Sequence, residues 1–213
     1  MKRNLLLGLL VLLAFSLSLS GCIAQCCGAP ASQESPAKAN DSPNEPLNTS
    51  GAVGLSNVRE MQLYENAEND FTVAYPSGWI AEDADANDLG LVAGFLAPGV
   101  DMNNSSTYIT LQVEALPEGM NLTLAQYGKA ALGNLKEALP DLQILAESDI
   151  PMGGQSGHAV VYNLTSDGTE YKVLRAWTVQ GDVAYIFTYN APVDRYEEFA
   201  KDASKIIGSL AVV

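Results

Sequence analysis

Two dipeptides, Asp167-Gly168 and Gly181-Asp182, break a long run of β-branched and aromatic residues, HAVVYNLTSDGTEYKVLRAWTVQGDVAYIFTYNAP, and no other feature constrains the fold as tightly. Each pair supplies the small or left-handed-tolerant residues that a two-residue hairpin turn needs, so the run predicts three antiparallel strands in a meander. Along the last strand Val183, Tyr185, Phe187 and Tyr189 share one face, and Ala184, Ile186 and Thr188 share the other. Neither face is purely polar, which requires cover on both sides of the sheet.

The flanking segments supply that cover. Leu124, Tyr127, Ala131, Leu135 and Ala138 recur at helical spacing, Thr123 and Gln126 have the spacing of a capping box, and Pro140 ends the run. A second helix closes the chain, with Tyr196, Phe199, Ala203, Ile206 and Leu210 as its apolar stripe. Asp194, Glu197 and Glu198 lie toward its start and Lys201 and Lys205 toward its end, in keeping with the helix dipole. Upstream, Phe71, Val73 and Tyr75 alternate up to the turn Pro76-Ser77-Gly78, Leu91 to Leu96 is a short apolar strand, and Ile109, Leu111 and Val113 alternate in another. The expected fold class is α+β, an α/β/α sandwich with a central antiparallel sheet flanked by helices.

The folded domain is expected over residues 61–213, and what precedes it has a different character. Lys2 and Arg3 lead into an apolar stretch, Leu5 to Leu19, with no charge. Its fifteen residues cover roughly 22 Å as a helix, short of the ~30 Å hydrocarbon core, so the run reads as an export signal rather than a permanent span. Leu19-Ser20-Gly21-Cys22 resembles a lipobox, which implies a lipoprotein signal peptide over 1–21, removed ahead of a lipidated Cys22. Residues 22–60 are rich in Ala, Ser, Pro, Asn and Gly and read as a disordered linker with a reach of roughly 30 Å. The expected address is the outer, extracytoplasmic face of the cell membrane, with lipid on Cys22 as the anchor.

Charge and cysteine usage exclude several functions. The chain has 11 basic and 25 acidic residues; loss of Lys2 and Arg3 leaves 9 against 25, a net charge near −16, which repels phosphate backbones and argues against a nucleic-acid partner. Cys22, Cys26 and Cys27 all sit at the processing site, so the domain holds neither a disulfide framework nor a thiolate metal cage. Sequons occur at Asn40, Asn48, Asn103, Asn104, Asn121 and Asn163, of which Asn48, Asn104, Asn121 and Asn163 are candidate glycosylation sites. Lipidation and sequons together suit an archaeal cell surface.

The run Phe71-x-Val73-x-Tyr75-Pro76-x-x-Trp79, the Gly153-Gly154 turn leading to Tyr162, the aromatic meander with Trp177, and the ending Ile206-Ile207-x-Ser209-Leu210 resemble the PsbP family over about residues 62 to 210. That family is named for an extrinsic subunit of photosystem II and shares an α/β/α sandwich with a nuclear Ran-binding factor. The resemblance implies a non-catalytic binding protein that docks on a membrane-associated complex. It carries over no photosynthetic role, because here the N-terminal arm is a lipidated spacer and no docking or metal residue is matched.

Other chemistries have thin support. In the acidic loop Glu82 to Gly90, Asp83, Asp85 and Asn87 alternate as calcium ligands do in an EF-hand, but Asp88 stands where Gly is needed and Gly94 where the bidentate Glu is needed. His158, the sole histidine, lies two residues from Ser156 without a nucleophile elbow. Gly153-Gly154 precedes a strand rather than a helix, and so reads as a turn and not a phosphate loop. Trp79 and Trp177 read as core. No catalytic residue and no cofactor is expected; the alternative function is a small-ligand or calcium-binding surface lipoprotein, using the acidic loop or a groove beside Trp177.

Overall fold

A computed structural model of the chain describes residues 60–84, 90–99 and 106–213. The expected signal peptide, Cys22 and the linker up to residue 59 lie outside these residues. The strands are β1 (Met61–Asn66), β2 (Phe71–Pro76), β3 (Ile80–Asp83), β4 (Leu91–Leu96), β5 (Tyr108–Ala115), β6 (Ile144–Met152), β7 (Gln155–Ser166), β8 (Thr169–Gln180), β9 (Val183–Pro192) and β10 (Ala211–Val212). Two helices accompany them, α1 (Leu124–Ala138) and α2 (Tyr196–Gly208).

Both hairpin dipeptides turn the chain as expected. Asp167 and Gly168 adopt φ of 49° and 78°, the left-handed pair of a type I′ turn whose twist matches the strands it joins. The three strands β7, β8 and β9 pair antiparallel in sequence order, and β5 then pairs with β9. The full sheet has seven strands in the order β3-β4-β5-β9-β8-β7-β6, and a separate small sheet has the order β1-β2-β10.

The alternation along β9 divides the core into two layers. Tyr185, Phe187, Tyr189 and Ala191 face one side, where they pack with Phe71 and Val73 of β2 and with Phe199, Ala203 and Ile206 of α2. Ala184 and Ile186 face the other, packing with Trp177, Tyr162 and the α1 residues Tyr127 and Leu135. The fold is therefore the expected α+β sandwich, with the small sheet sharing the α2 layer.

Local sequence explains both helices. At the start of α1, Thr123 accepts from the Gln126 backbone while the Gln126 side chain accepts from the Thr123 N–H, a complete capping box that satisfies two otherwise orphaned donors. In α2 the stripe is buried as expected, with Glu197 and Glu198 in the first turn and Lys205 in the last. Leu210 falls just beyond the helix, yet it is fully buried in the same core.

Four strands were not legible. β6 is an edge strand with six exposed residues, and ILAESDIPM carries neither strict alternation nor an apolar run. β1, β3 and β10 are equally edge elements, and β10 has only two residues. Their strand character comes from neighbours distant in sequence. Ser209 illustrates the coupling: its hydroxyl accepts from the Ala74 N–H at 2.9 Å and lies 2.9 Å from the Ala74 carbonyl, joining positions 135 residues apart.

Candidate functional site

The antiparallel register sets side chains in rows across the α1 face of the large sheet. One row runs Glu82, Gly94, Thr110, Thr188, Arg175, Val160, Glu147, and the next runs Ile80, Leu96, Tyr108, Asn190, Val173, Tyr162. A third contains Gln112, Ile186, Trp177, His158 and Asp149. Helix α1 lies against β7 and β8, where Tyr127 and Leu135 pack in one cluster with Val160, Tyr162, Val173, Trp177 and Ile186, and Arg175, Thr188 and Thr110 are polar members of the first row.

Arg175 is half-buried and forms no ion pair among the described residues. Its surroundings are hydroxyls and aromatic rings. Burial pushes the Tyr162 hydroxyl above its ordinary pKa, opposed by the adjacent Arg175 guanidinium. Tyr108 is likewise raised by burial, with Tyr171 and Tyr162 as neighbours. Asn190, at 1% exposure, donates through Nδ2 to the Ser106 carbonyl at 3.2 Å, while its Oδ1 is buried without a hydrogen-bond partner. Sequence reasoning passed over Arg175, although a signal was present. Along β8, Val173, Trp177 and Val179 are the apolar side, and Arg175 is the one charge among them.

His158 is held on both sides. Its Nδ1 lies 2.8 Å from Asp149 Oδ1 and its Nε2 3.0 Å from Glu147 Oε1, and its ring stands 5.2 Å from that of Trp177. Only the imidazolium, with two N–H donors, satisfies both carboxylates at once. A general base needs a free nitrogen beside its nucleophile, and neither nitrogen is free here. The Ser156 carbonyl accepts from the Thr178 hydroxyl at 2.8 Å, a strand-edge tie rather than part of a catalytic pair. The side chain that sequence reasoning left as an ordinary strand-end histidine thus clamps the edge strand β6 onto β7.

Of the calcium candidates, Asp83 alone is described; Asp85 and Asn87 lie outside the described residues. The Tyr64 hydroxyl donates to Asp83 Oδ1 at 2.7 Å, so one of its oxygens is occupied in linking β1 to β3. No group of three or more metal-ligating side chains comes together among the described residues. Gly153 and Gly154 form the expected turn with φ of 59° and 77°. Both tryptophans are core residues, Trp79 at 3% and Trp177 at 1% exposure.

The sequons divide. Asn48 and Asn104 lie outside the described residues, as do Asn40 and Asn103. Asn121 is exposed at a left-handed φ of 43° ahead of the α1 cap. Asn163 sits within β7, its Nδ2 donating to Glu170 at 3.0 Å and its Oδ1 buried.

Comparison with solved structures finds the same fold elsewhere. Cyanobacterial PsbP (CyanoP) from Synechocystis sp. PCC 6803 superimposes with a TM-score of 0.54 at 19% identity, covering 79% of this chain and all of that one. LpqN, involved in cell envelope biogenesis of Mycobacterium tuberculosis, gives 0.51 at 13% identity over 74% of this chain and 92% of its own. The Ran-binding protein Mog1p of Saccharomyces cerevisiae gives 0.47 at 12% identity, over 73% and 96%. No protein-family model matches the sequence, and no curated protein matches it. At these identities the likeness is one of architecture, and the architecture is PsbP-like.

Proposed function

We propose that this protein is a non-catalytic accessory subunit, moored to the outer face of the membrane by lipid on Cys22, which binds another membrane-associated protein. The observation that carries this reading is strand β1. It forms one edge of the small sheet, pairs only with β2 among the described residues, and begins where the linker ends. Met61 and Leu63 stand 42% and 57% exposed on it. An unpaired edge with apolar side chains is a template for an added strand, with main-chain hydrogen bonds giving affinity and alternate side chains giving selectivity. The lipobox at Leu19–Cys22 supports the address, and the fold shared with LpqN fits a role in a cell envelope.

The test is cross-linking in intact cells followed by affinity capture from detergent-solubilised membranes. The wild-type chain should recover a stoichiometric membrane protein, and a Met61→Lys, Leu63→Lys double variant should lose it while keeping the same melting temperature. Equal recovery by both forms would refute docking through β1, and recovery of the chain alone would refute the accessory role. Intact-mass measurement of the membrane fraction checks the anchor, since Cys22→Ser should release the chain from the bilayer.

A further inference from the structure

Among the described residues Arg175 forms no ion pair, and its guanidinium is hydrogen-bonded to the Tyr162 hydroxyl. The described carboxylates placed by register on the α1 face have other partners or lie apart: Glu114 accepts from the Tyr127 hydroxyl at 2.7 Å, and Glu147 and Asp149 both hold His158. Glu82 lies in the same row as Arg175 but four strand spacings away, ~19 Å between backbones. The Tyr162 hydroxyl accepts from this half-buried guanidinium, which leaves further N–H donors of the planar fork without a carboxylate among the described residues, on a β8 face that is mostly apolar.

We propose that Arg175 anchors a binding site for a small organic carboxylate on the α1 face, away from the β1 edge. Thr188 lies directly beside Arg175 and Thr110 directly beyond it, so two hydroxyls continue the row that the guanidinium begins. The planar fork matches one carboxylate bidentately. A phosphate dianion is the poorer match, because the protein's net field is negative. In the adjoining row, Asn190 Oδ1 is buried and lacks a donor, which selects a ligand carrying a hydroxyl or amine some distance from its carboxylate. This site goes beyond the docking reading and neither requires nor excludes it.

The probe is 4-hydroxybenzoate, which has a carboxylate, an apolar body and a distal donor, titrated against the full chain in detergent by ligand-observed NMR. Saturable binding is expected in the micromolar to millimolar range, with 4-hydroxybenzyl alcohol, the uncharged analogue, at least about tenfold weaker. Arg175→Gln should weaken the carboxylate at least about tenfold, and Arg175→Lys, which keeps the charge without the fork, should weaken it less. Lys172→Gln, on the opposite face, should change nothing. If Arg175→Gln proves unfolded by circular dichroism, the Arg175→Lys comparison carries the test. Absence of saturable binding, equal affinity for the alcohol, or unchanged affinity in the folded Arg175 variants overturns the proposal; displacement of the probe by inorganic phosphate at lower concentration overturns the assignment to a carboxylate.

Discussion

A methyl group at position 153 has nowhere to go. A Cβ built on Gly153 would lie 1.8 Å from the Leu210 carbonyl oxygen, and the residue has a φ of 59°, so the β6–β7 turn can press against the end of α2 only as glycine. Gly154 has a φ of 77° as well, but open space around it. Gly153→Ala should therefore cost about 2–4 kcal/mol in urea unfolding, from clash and backbone strain together, while Gly154→Ala should cost only about 1 kcal/mol. Equal losses would show that the contact with Leu210 is not what fixes the turn. The same close reading separates the sequons. For a transferase acting on the folded chain, peptide mapping should find Asn121 modified and Asn163 unmodified, because the amide nitrogen that would carry the sugar at Asn163 is already bonded to Glu170.

Secondary-structure elements differ in where their stability originates. Helix α1 is locally encoded: the Thr123 cap and its reciprocal bond with Gln126 hold the first turn, and Thr123→Ala should cost about 1 kcal/mol, read as a lower melting temperature. Strand β6 has no such local code. Its cross-strand neighbours hold it, with His158 bridging Glu147 and Asp149, whose side chains are 49% and 85% exposed. Solvent screens contacts that open, so His158→Ala should lower global stability by less than about 1 kcal/mol. Its larger effect should be local, with faster hydrogen exchange at the β6 amides than at those of β8. Uniform acceleration across the sheet would show instead that this clamp supports the whole core.

Across the molecule, the buried tyrosines tie stability to alkaline pH. Burial, with Glu197 adding to it, pushes the Tyr196 hydroxyl up to about 12, and Tyr108, Tyr127, Tyr162 and Tyr189 are raised as well, each chiefly by burial. A phenol whose pKa is raised by folding keeps its proton more tightly in the native state, so this contribution is complete below the free value near 10 and declines as pH climbs from about 10 toward 12. Tyrosinate absorbance should accordingly rise in two steps, exposed rings first and buried rings together with loss of native circular dichroism. A single step near pH 10 with structure retained would contradict the burial of these rings.

How far the sequence could be read followed the range of the forces involved. Turn chemistry at Asp167-Gly168, the capping box at Thr123 and the alternation in β9 act within a few residues, so the meander, both helices and the two-sided core were legible without coordinates. Strand β6, the pairing of β5 with β9 and the tie from Ser209 to Ala74 rest on partners far apart in the chain, which no local pattern records. Arg175 shows the same division. Its identity and its place on an apolar strand face are written in β8, but its lack of an ion pair among the described residues, and the threonines set beside it, exist only once register has aligned seven strands into one row.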